Sequence, residues 1–567
     1  MTDNFNSFNF SKIKSFKEFA HQADYSLLNS LKADPKSSSE GFDYEPREVF
    51  SGHYVPVKPK PLISPKYISH SQKFFDEIGL SNNLLEDNDF CEFFTGKNKA
   101  NSKHINNFGW ATGYALSIYG TEYKNQCPFR TGNGYGDGRA ISIFEGIFKG
   151  KRWEMQLKGS GPTPYCRGGD GRAVLRSSIR EFLAQELMHS LGVPTTRSLT
   201  LFVSEEETVM RPWYLKESKS LDPEIMLENF VAITTRVAPS FLRIGQIELF
   251  SKRVRNNKNN VSIEELKVIV EHLIERNYNE EIDVNKPLQE KIIEVAYLYR
   301  NRLTSLVANW IRVGYCQGNF NSDNCALGGY TLDYGPFGFC EMFDPMFQPW
   351  TGGGNHFSFF NQTKAAELNF KMFCSSLIPL IEGNKKLLDN LDEIVYGFSN
   401  CMDQEMRLMW KKKLGLQVYD ENLLNNLFEL MIITKVDFTK FFRKLSKIPI
   451  HVEFLKDSFY QNCSQDLESR WNSWLNSWLN SIDKGNNYED TSKSMLRVNP
   501  KYIWREWLIV PAYEKAEEGD YSLVRELQNV FNDPYDNKCN NIDKKFDSLR
   551  PNKYSYVGGI THYSCSS

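Results

Sequence analysis

The residues best suited to chemistry lie in the stretch 156–181, which reads QLKGSGPTPYCRGGDGRAVLRSSIRE. In it a lysine is followed by a loop rich in glycine and proline, and then by the charged start of a helix. Glycines let backbone N–H groups approach an anion closely, because no Cβ stands in the way. Positive charge nearby comes from Lys158, Arg167, Arg172, Arg176 and Arg180. The stretch therefore predicts a polyphosphate-binding loop.

Lys158 needs a carboxylate partner if it is to hold a phosphate, because an ammonium group on a flexible stem is otherwise poorly oriented. The helix that follows offers Glu181 and Glu186. On a helical wheel Glu186 falls within the apolar stripe and Glu181 lies nearly opposite it, so periodicity leaves both open. A solvated surface lysine is the alternative for Lys158, and the adjoining glycine loop argues against it.

A second group of polar side chains, Asp323, Asn324 and Asp333, follows an apolar helix. Oxygens of Asn and Asp suit Mg²⁺ when phosphate oxygens and waters complete its octahedron. An Asx turn or a helix cap is the better interpretation of a lone loop aspartate. Three such residues at this spacing favour a metal site.

Two further motifs add glycine and arginine. TGNGYGDGRA contains Gly136, Gly138 and Arg139, but it precedes a strand and so differs from a dinucleotide-binding fingerprint. A hairpin turn is the alternative, and Arg139 favours an anion site. TRVAPSFLRIG supplies Arg236 and Arg243, which are either surface ion-pair partners or additional phosphate-binding groups.

The elements that must position these residues can be predicted from periodicity. RWEMQLK (152–158) alternates apolar and polar residues, which predicts a half-buried strand with Lys158 on the face opposite the core. Helices are predicted at 172–191 and 290–313, where apolar residues recur at helical spacing and a glycine follows. The pattern from 360 to 530 is mostly helical, whereas Pro- and Ser-rich pieces before residue 100 predict extended chain.

Composition excludes several classes of protein. Hydrophobic residues make up 41% and charged residues 24%, as in soluble globular proteins. A net charge of −2 favours neither nucleic acid nor an anionic membrane, and no apolar stretch is long enough to span a bilayer. The eleven cysteines contain no CxxC pair, which argues against structural zinc or a secreted disulfide framework. We expect an intracellular protein without nucleic-acid partners or membrane insertion.

Taken together, these motifs resemble those of the selenoprotein O family (the YdiU-type proteins), kinase-like enzymes that transfer AMP to proteins. The resemblance extends from about residue 136 to the last residue, and its motifs are collectively very specific. The matching motifs are GDGRA (136–140), QLKG (156–159), TPYCRGGDGRAVLRSSIREFL (163–183), GVPTTR (192–197), TRVAPSFLRIG (235–245), SDN, LDYGPFGF (332–339), NPKYIWR (499–505) and CSS (565–567).

The resemblance implies an α+β, protein-kinase-like, two-lobed pseudokinase fold that lacks the His-Arg-Asp catalytic loop. We expect an N-terminal extension at 1–100, a β-rich lobe at 101–235, a helical lobe at 236–490 and a C-terminal segment at 491–567. ATP would bind flipped relative to kinases, which exposes its α-phosphate. The implied reaction transfers AMP to Ser, Thr or Tyr hydroxyl groups and releases pyrophosphate.

Roles follow position by position from the matching motifs. Lys158 would contact phosphate and pair with Glu181, and Asp323 would accept a proton. Asn324 and Asp333 would hold Mg²⁺ or Mn²⁺. The residues implied to seat the nucleotide are Gly136, Gly138, Arg139, Lys158, Asp170, Gly171, Arg236, Arg243 and Asp333.

The chain departs from the family pattern at three places. Gln317-Gly318 replaces the usual His-Gly, an insertion lies around 205–232, and Cys565 stands where some relatives carry selenocysteine. The resemblance implies that Cys565 is redox-active, with Cys340 as a conceivable disulfide partner. An inert thiol in a flexible tail is the alternative.

The remaining expectations concern location, assembly and competing functions. By resemblance, the protein is mitochondrial if eukaryotic and otherwise cytoplasmic, and we expect a monomer. One competing function is an ordinary phosphotransferase that moves the γ-phosphate. The other is a non-catalytic nucleotide-binding scaffold, which would have no need of Lys158, Asn324 and Asp333 together.

Overall fold

A large antiparallel sheet and a helical region form the fold. The computed structural model describes residues 12–97, 102–115, 117–118, 121–122, 138–166, 168–257, 260–482 and 487–563. Two residues of the predicted site, Gly136 and Cys565, lie outside these ranges, as does Arg167 of the predicted phosphate loop. The sequence predicts this order, in which a β-rich part is followed by a mainly helical part.

The strands of the main sheet run in the order β1-β3-β6-β7-β10-β9-β2, and β8 pairs with β10 off this path. The strands β11 and β12, and likewise β4 and β5, form separate two-stranded ladders. The strands are β1 (Tyr54–Val57), β2 (Pro65–His70), β3 (Gly109–Thr112), β4 (Ser117–Ile118), β5 (Thr121–Glu122), β6 (Ala140–Phe148), β7 (Lys151–Lys158), β8 (Ala173–Val174), β9 (Arg197–Trp213), β10 (Ile225–Ala238), β11 (Tyr315–Gln317) and β12 (Phe337–Phe339).

Helices precede the sheet, flank it and make up most of the chain after residue 360. They are α1 (Phe16–Ala20), α2 (Ser26–Ser30), α3 (Gln72–Ile78), α4 (Asn88–Phe94), α5 (Leu175–Ser190), α6 (Ile244–Asn257), α7 (Asn260–Asn277), α8 (Leu288–Val313), α9 (Gln362–Ile381), α10 (Lys385–Tyr396), α11 (Phe398–Lys413), α12 (Glu421–Thr434), α13 (Phe438–Leu445), α14 (Gln465–Ile482), α15 (Tyr488–Val498), α16 (Glu506–Glu517), α17 (Ser522–Phe531) and α18 (Asn540–Phe546).

The two helices predicted around the site are present, with small shifts at both ends of α5 and at the start of α8. The helix α8 ends at Val313, and the following Gly314 has a φ of 82°, in the left-handed region that terminates helices readily. The helix α5 begins at Leu175 rather than at residue 172, because Ala173 and Val174 pair with β10 as a short strand. The mostly helical pattern predicted from 360 to 530 is also confirmed.

The prediction that β7 is half-buried was wrong. Its apolar face, which includes Trp153 and Leu157, joins a hydrophobic cluster with Phe19 of α1 and Phe74 of α3. The opposite face is covered too, and Lys158 is only 5% exposed. The alternation identified the two faces correctly, but it could not show that the polar face is covered as well, with Glu181 and Asp333 against Lys158.

The N-terminal region is built into the sheet at both edges. It contributes β1 at one edge and β2 at the other. The edge strand β2 is capped by α17, since Gln528 donates to the carbonyl of His70 at 2.6 Å and Arg525 donates to that of Ile68 at 3.2 Å. Among the residues described, no helix is long and apolar enough to cross a membrane.

Candidate active site

Lys158 lies at the end of β7, where two carboxylates converge on its ammonium group. Its Nζ is 2.6 Å from Oε2 of Glu181 on α5 and 2.6 Å from Oδ1 of Asp333. The side chains of Lys158, Glu181 and Asp333 are 7%, 3% and 17% exposed. The strand lysine is thus held in one orientation by a helix glutamate, as the phosphate-binding hypothesis requires.

Glu186, the other candidate partner of Lys158, serves a different ion pair. Its Oε2 is 2.9 Å from Arg197, and its Oε1 accepts a hydrogen bond from the backbone N–H of Ser198. Burial would raise the pKa of Glu186, but the contact with Arg197 keeps it below its ordinary value. The ambiguity between the two glutamates is therefore resolved in favour of Glu181 as the neighbour of Lys158.

Arg236 on β10 joins the same cluster. Its NH1 donates to Oδ1 of Asp333 at 2.7 Å and lies 3.4 Å from Oε1 of Glu181. Its Nε donates to Oε1 of Gln156 at 2.7 Å. Sequence reasoning missed Gln156, although the two-residue period of a strand places it on the same face as Lys158. Two cations and two carboxylates therefore form one buried cluster.

The pKa values of the two acids in this cluster shift in opposite directions. Burial would raise the pKa of Asp333, but Lys158 and Arg236 hold it well below its usual range. Burial is also the largest influence on Glu181, and there it raises the pKa despite the attraction of Lys158. Asp333 is consequently the acid best suited to remain charged when a cationic ligand approaches.

Asp323 and Asn324 lie on the short 3-10 turn 322–324 beside the cluster. The NH1 of Arg243 donates to the backbone carbonyl of Asp323 at 3.0 Å, and this arginine also lowers the pKa of Asp333. The turn is thus linked to the Lys158 cluster through Arg243.

Glu248 on α6 supports this turn from behind, and sequence reasoning missed it. Its Oε2 accepts a hydrogen bond from the Ser322 hydroxyl at 3.0 Å, one position before Asp323. Burial raises the pKa of Glu248 to about 7, against hydrogen bonds from Ser117 and Ser322 that lower it. A glutamate on an amphipathic helix carries no sequence signal for such a role.

The donors at Asn324 and Asp333 fit a Mg²⁺ or Mn²⁺ ion that substrate phosphates also bind. Both cations of the cluster contact Oδ1 of Asp333, and no hydrogen bond from the described residues reaches its Oδ2. Asn324 uses its amide nitrogen to donate to the carbonyl of Asn319 at 2.9 Å. Within the described ranges no cluster of three or more His, Cys, Asp or Glu could hold a metal alone. Two protein oxygens with phosphates and waters are the usual pattern for Mg²⁺.

Gln317, where the family motif has histidine, braces the chain that carries Asp333. Its Nε2 donates to the backbone carbonyl of Asp333 at 3.3 Å, and its Oε1 accepts from the hydroxyl of Tyr315. The amide therefore joins β11 to the loop that ends at Asp333.

The glycine-rich loops lie beside the strand end. The carbonyl of Gly138 accepts from the Thr163 hydroxyl at 2.9 Å, and that of Arg139 accepts from the Gly159 N–H at 2.8 Å. Gly171 has a φ of +68°, and a Cβ there would lie 2.1 Å from the backbone of Gly161. This glycine is required by close packing of the loop on itself.

Asp170 and three nearby arginines have side-chain partners outside the cluster of Lys158, Glu181, Arg236 and Asp333. Asp170 pairs with Arg211 at 2.6 Å. That Arg172, Arg176 and Arg180 add positive charge at the phosphate loop stays a prediction, and Arg172 donates to the carbonyl of Gly159 in that loop at 3.4 Å. Their partners are Glu207 for Arg172, Asn229 for Arg176 and Glu506 for Arg180.

Cys340, the conceivable disulfide partner of Cys565, is fully buried. Its thiol lies against the carbonyls of Met342 and Asp344. Burial raises the pKa of this thiol, which disfavours the reactive thiolate. The redox role of Cys565 stays a prediction.

Comparisons with known proteins place this geometry in context. A family model described as "Protein adenylyltransferase SelO" matches residues 40–532. A protein of Aromatoleum aromaticum named "Protein nucleotidyltransferase YdiU" is 33% identical over 96% of this chain and 99% of its own length. Proteins of the same name from Methylobacillus flagellatus and Xanthomonas oryzae pv. oryzae are 31% and 34% identical, over 96% and 90% of this chain and 99% and 94% of their own.

Proposed function

Because the chain belongs to the SelO family of protein adenylyltransferases, we propose that it transfers AMP from ATP to Ser, Thr or Tyr hydroxyl groups of proteins. The observation that supports this most directly is the buried cluster of Lys158, Glu181, Arg236 and Asp333 beside the turn that carries Asp323 and Asn324. It combines cations for phosphates, oxygen donors for a divalent ion and a carboxylate for a proton.

Lys158 and Arg236 are the phosphate-binding groups in this proposal. Both side chains are buried and already held in place by carboxylates. Little conformational freedom is therefore lost when a phosphate replaces part of their contacts. The rest of the nucleotide is proposed to bind Arg243, Gly138, Arg139 and the loop with Gly171. Asp170 is assigned to this set by the motif, and through Arg211 it helps to shape the loop.

The chemistry itself requires mainly positioning and charge stabilisation. The acceptor hydroxyl oxygen forms a bond to the α-phosphorus, the bond from that phosphorus to the bridging oxygen breaks, and pyrophosphate leaves. Asp323 is proposed to accept the hydroxyl proton, which contributes on the order of 10²–10⁴-fold at most. A Mg²⁺ or Mn²⁺ ion held by Asn324 and Asp333 would neutralise charge on the phosphate oxygens.

We further propose that the sheet and the helical region form the two lobes of a kinase-like fold in which ATP binds flipped. A strand lysine held by a helix glutamate supports this, as does the Asn and Asp pair after a long helix. The proposed lobes are 101–235 and 236–490. A metal-binding loop between them would serve either orientation of ATP, so the position of the label that reaches protein identifies the orientation.

The test compares ATP labelled on the α-phosphate with ATP labelled on the γ-phosphate. Label should enter protein only from the α position, in the presence of Mg²⁺ or Mn²⁺, and Asp333→Asn should reduce it at least 10²-fold. The matched control is Asp389→Asn, which changes an exposed aspartate on α10, outside the cluster. Label arriving only from the γ position would establish a phosphotransferase, and no label from either would favour a scaffold.

A further inference from the structure

A cleft of about 720 Å³ lies between the chain that follows Asp333 and the C-terminal segment. One wall runs from Gly338 to Pro349, and the other includes Tyr556 and Ile560. Ile432 and Lys435, at the end of α12, also line it. The mechanism proposed above does not use this space.

The cleft is continuous with the active site along the chain. Phe337, next to its first wall, lies 4.9 Å from the guanidinium of Arg180, and Arg180 precedes Glu181 on α5. The loop that carries Asp333 leads directly into the same wall through β12. A peptide in the cleft would therefore lie along the segment that starts at Asp333, a residue of the proposed reaction centre.

Apolar side chains on the cleft remain exposed to water. Met346, Ile432 and Tyr556 are 45%, 48% and 71% exposed. Covering such side chains with a partner is favourable, and aromatic and methionine side chains are enriched in protein interfaces. Met346 lies in the first wall, Tyr556 lies in the second, and Ile432 lies at the end of α12. One bound segment could therefore contact all three.

The acidic residues of the cleft are mostly neutralised within the protein. Glu341 accepts from Arg505 at 2.9 Å and from the indole N–H of Trp507 at 3.0 Å. Glu506 pairs with Arg180. Asp344 is exposed, and its Oδ1 accepts from the backbone N–H of Met346 at 2.8 Å.

The basic residues of the cleft are different. Neither Lys435 nor Arg550 has a carboxylate within ion-pair distance among the described residues. The neighbour of Lys435 Nζ is the neutral side-chain amide of Gln461, at 3.1 Å. The Nε of Arg550 is buried and has no hydrogen-bond acceptor in the described part of the chain. The charged groups of the cleft without an ion-pair partner in the described ranges are therefore Lys435, Arg550 and Asp344, two positive and one negative.

We propose that this cleft is the docking surface for the protein substrate, and that it selects a segment carrying carboxylates beside apolar side chains. Carboxylates would bind Lys435 and Arg550 through charge-assisted hydrogen bonds, while apolar side chains cover Met346, Ile432 and Tyr556. The inference rests on the proposed function, because it names the class of acceptor that the same active site would use.

The kinetic test uses a random Glu–Tyr copolymer as an acidic acceptor and a Lys–Tyr copolymer as its basic counterpart. The variants are Lys435→Glu and Arg550→Glu, with the exposed Lys386→Glu, outside the cleft, as the matched control. Each cleft variant should raise the KM for the Glu–Tyr copolymer about tenfold and leave the KM for ATP unchanged. An unchanged acceptor KM in both variants would overturn the proposal.

Binding without catalysis separates this inference from the proposed function. Fluorescence anisotropy of a fluorescein-labelled Glu/Tyr/Leu peptide measures docking in the absence of ATP. If the peptide binds the wild type and binds Lys435→Glu about tenfold more weakly, docking stands even when no AMP transfer occurs. If AMP transfer occurs and both variants bind the peptide as the wild type does, only the docking proposal fails.

Two other occupants are outcomes of the same experiments. A chain ending at Tyr563 that binds the peptide, when the full chain does not, would assign the cleft to residues 564–567 and refute substrate docking. A dimer seen by light scattering and lost in Lys435→Glu would assign it to a second copy, which also refutes the proposal. Equal peptide affinity of the full chain and the shortened chain, together with the mass of a monomer by light scattering, supports substrate docking.

Discussion

Glu248 provides the sharpest quantitative test, because a buried carboxyl supports the turn that carries Asp323. The side chain is 4% exposed and bonds the Ser322 hydroxyl. Burial raises its pKa from the ordinary value of 4.5 to about 7. The perturbation is Glu248→Gln, which keeps the shape of the side chain and removes its ionisation.

The sign follows from proton linkage. The folded state binds the Glu248 proton more tightly than the unfolded state, so this contribution to stability is complete below pH 4.5. It is lost as the pH rises through about 7. At about 1.36 kcal/mol per pKa unit, the shift corresponds to about 3 kcal/mol. Relative to the wild type, Glu248→Gln should therefore gain about 2 to 3 kcal/mol of unfolding free energy between pH 5 and pH 8.

The assay is urea unfolding at pH 5, 6, 7 and 8, followed by tryptophan fluorescence. Glu186→Gln is the matched control, because Arg197 keeps the pKa of Glu186 below its ordinary value. The stability from Glu186 is complete above the unfolded pKa and is lost only at acid pH. Its difference from the wild type should thus stay constant from pH 5 to pH 8. A constant difference for Glu248→Gln as well would refute the reasoning.

Two further predictions concern stability. Gly171→Ala should cost about 2 kcal/mol or more, because the new Cβ would lie 2.1 Å from facing backbone at a φ of +68°. Gly168 also has a positive φ, +79°, but no atom lies within 4 Å of the added Cβ, so Gly168→Ala should cost about 1 kcal/mol. Thermal unfolding of both glycine variants measures the difference. Arg505→Met leaves Asp437 and Glu341 buried without their cation and should cost about 3 to 5 kcal/mol by urea unfolding.

The controls for these substitutions are specific. Equal costs for the two glycine variants would show that the close approach of the loop does not matter. Arg407→Met removes an exposed arginine that pairs with Asp403, and it should change the unfolding free energy by less than about 0.5 kcal/mol. A loss for Arg505→Met as small as that would contradict the buried-charge argument.

Local periodicity was enough to predict β7 and α5, which carry Lys158 and Glu181, and α8, which precedes the turn with Asp323. The alternation of β7 placed Lys158 away from the face of Leu157, and α8 was predicted to within two residues at its start. The choice between Glu181 and Glu186 was beyond periodicity, because both faces of α5 are buried and each glutamate meets a different cation.

Contacts between residues far apart in the sequence could not be predicted from spacing. Arg180 belongs to a positively charged stretch of sequence, yet its carboxylate partner Glu506 lies 326 positions later. Spacing along the chain cannot reveal such a pair. The role of Glu248 was equally hidden, because its partner Ser322 lies 74 positions away and contributes only a hydroxyl.

The covering of β2 by α17 has a consequence for biosynthesis. The carbonyl of Ile68 receives its hydrogen bond from Arg525, which is 457 positions later. At about 5–20 residues per second, a ribosome needs on the order of 20 to 90 s to make the chain between them. An open sheet edge is a template for aggregation during that time. Nascent chains of this protein should therefore depend on chaperones until α17 has emerged.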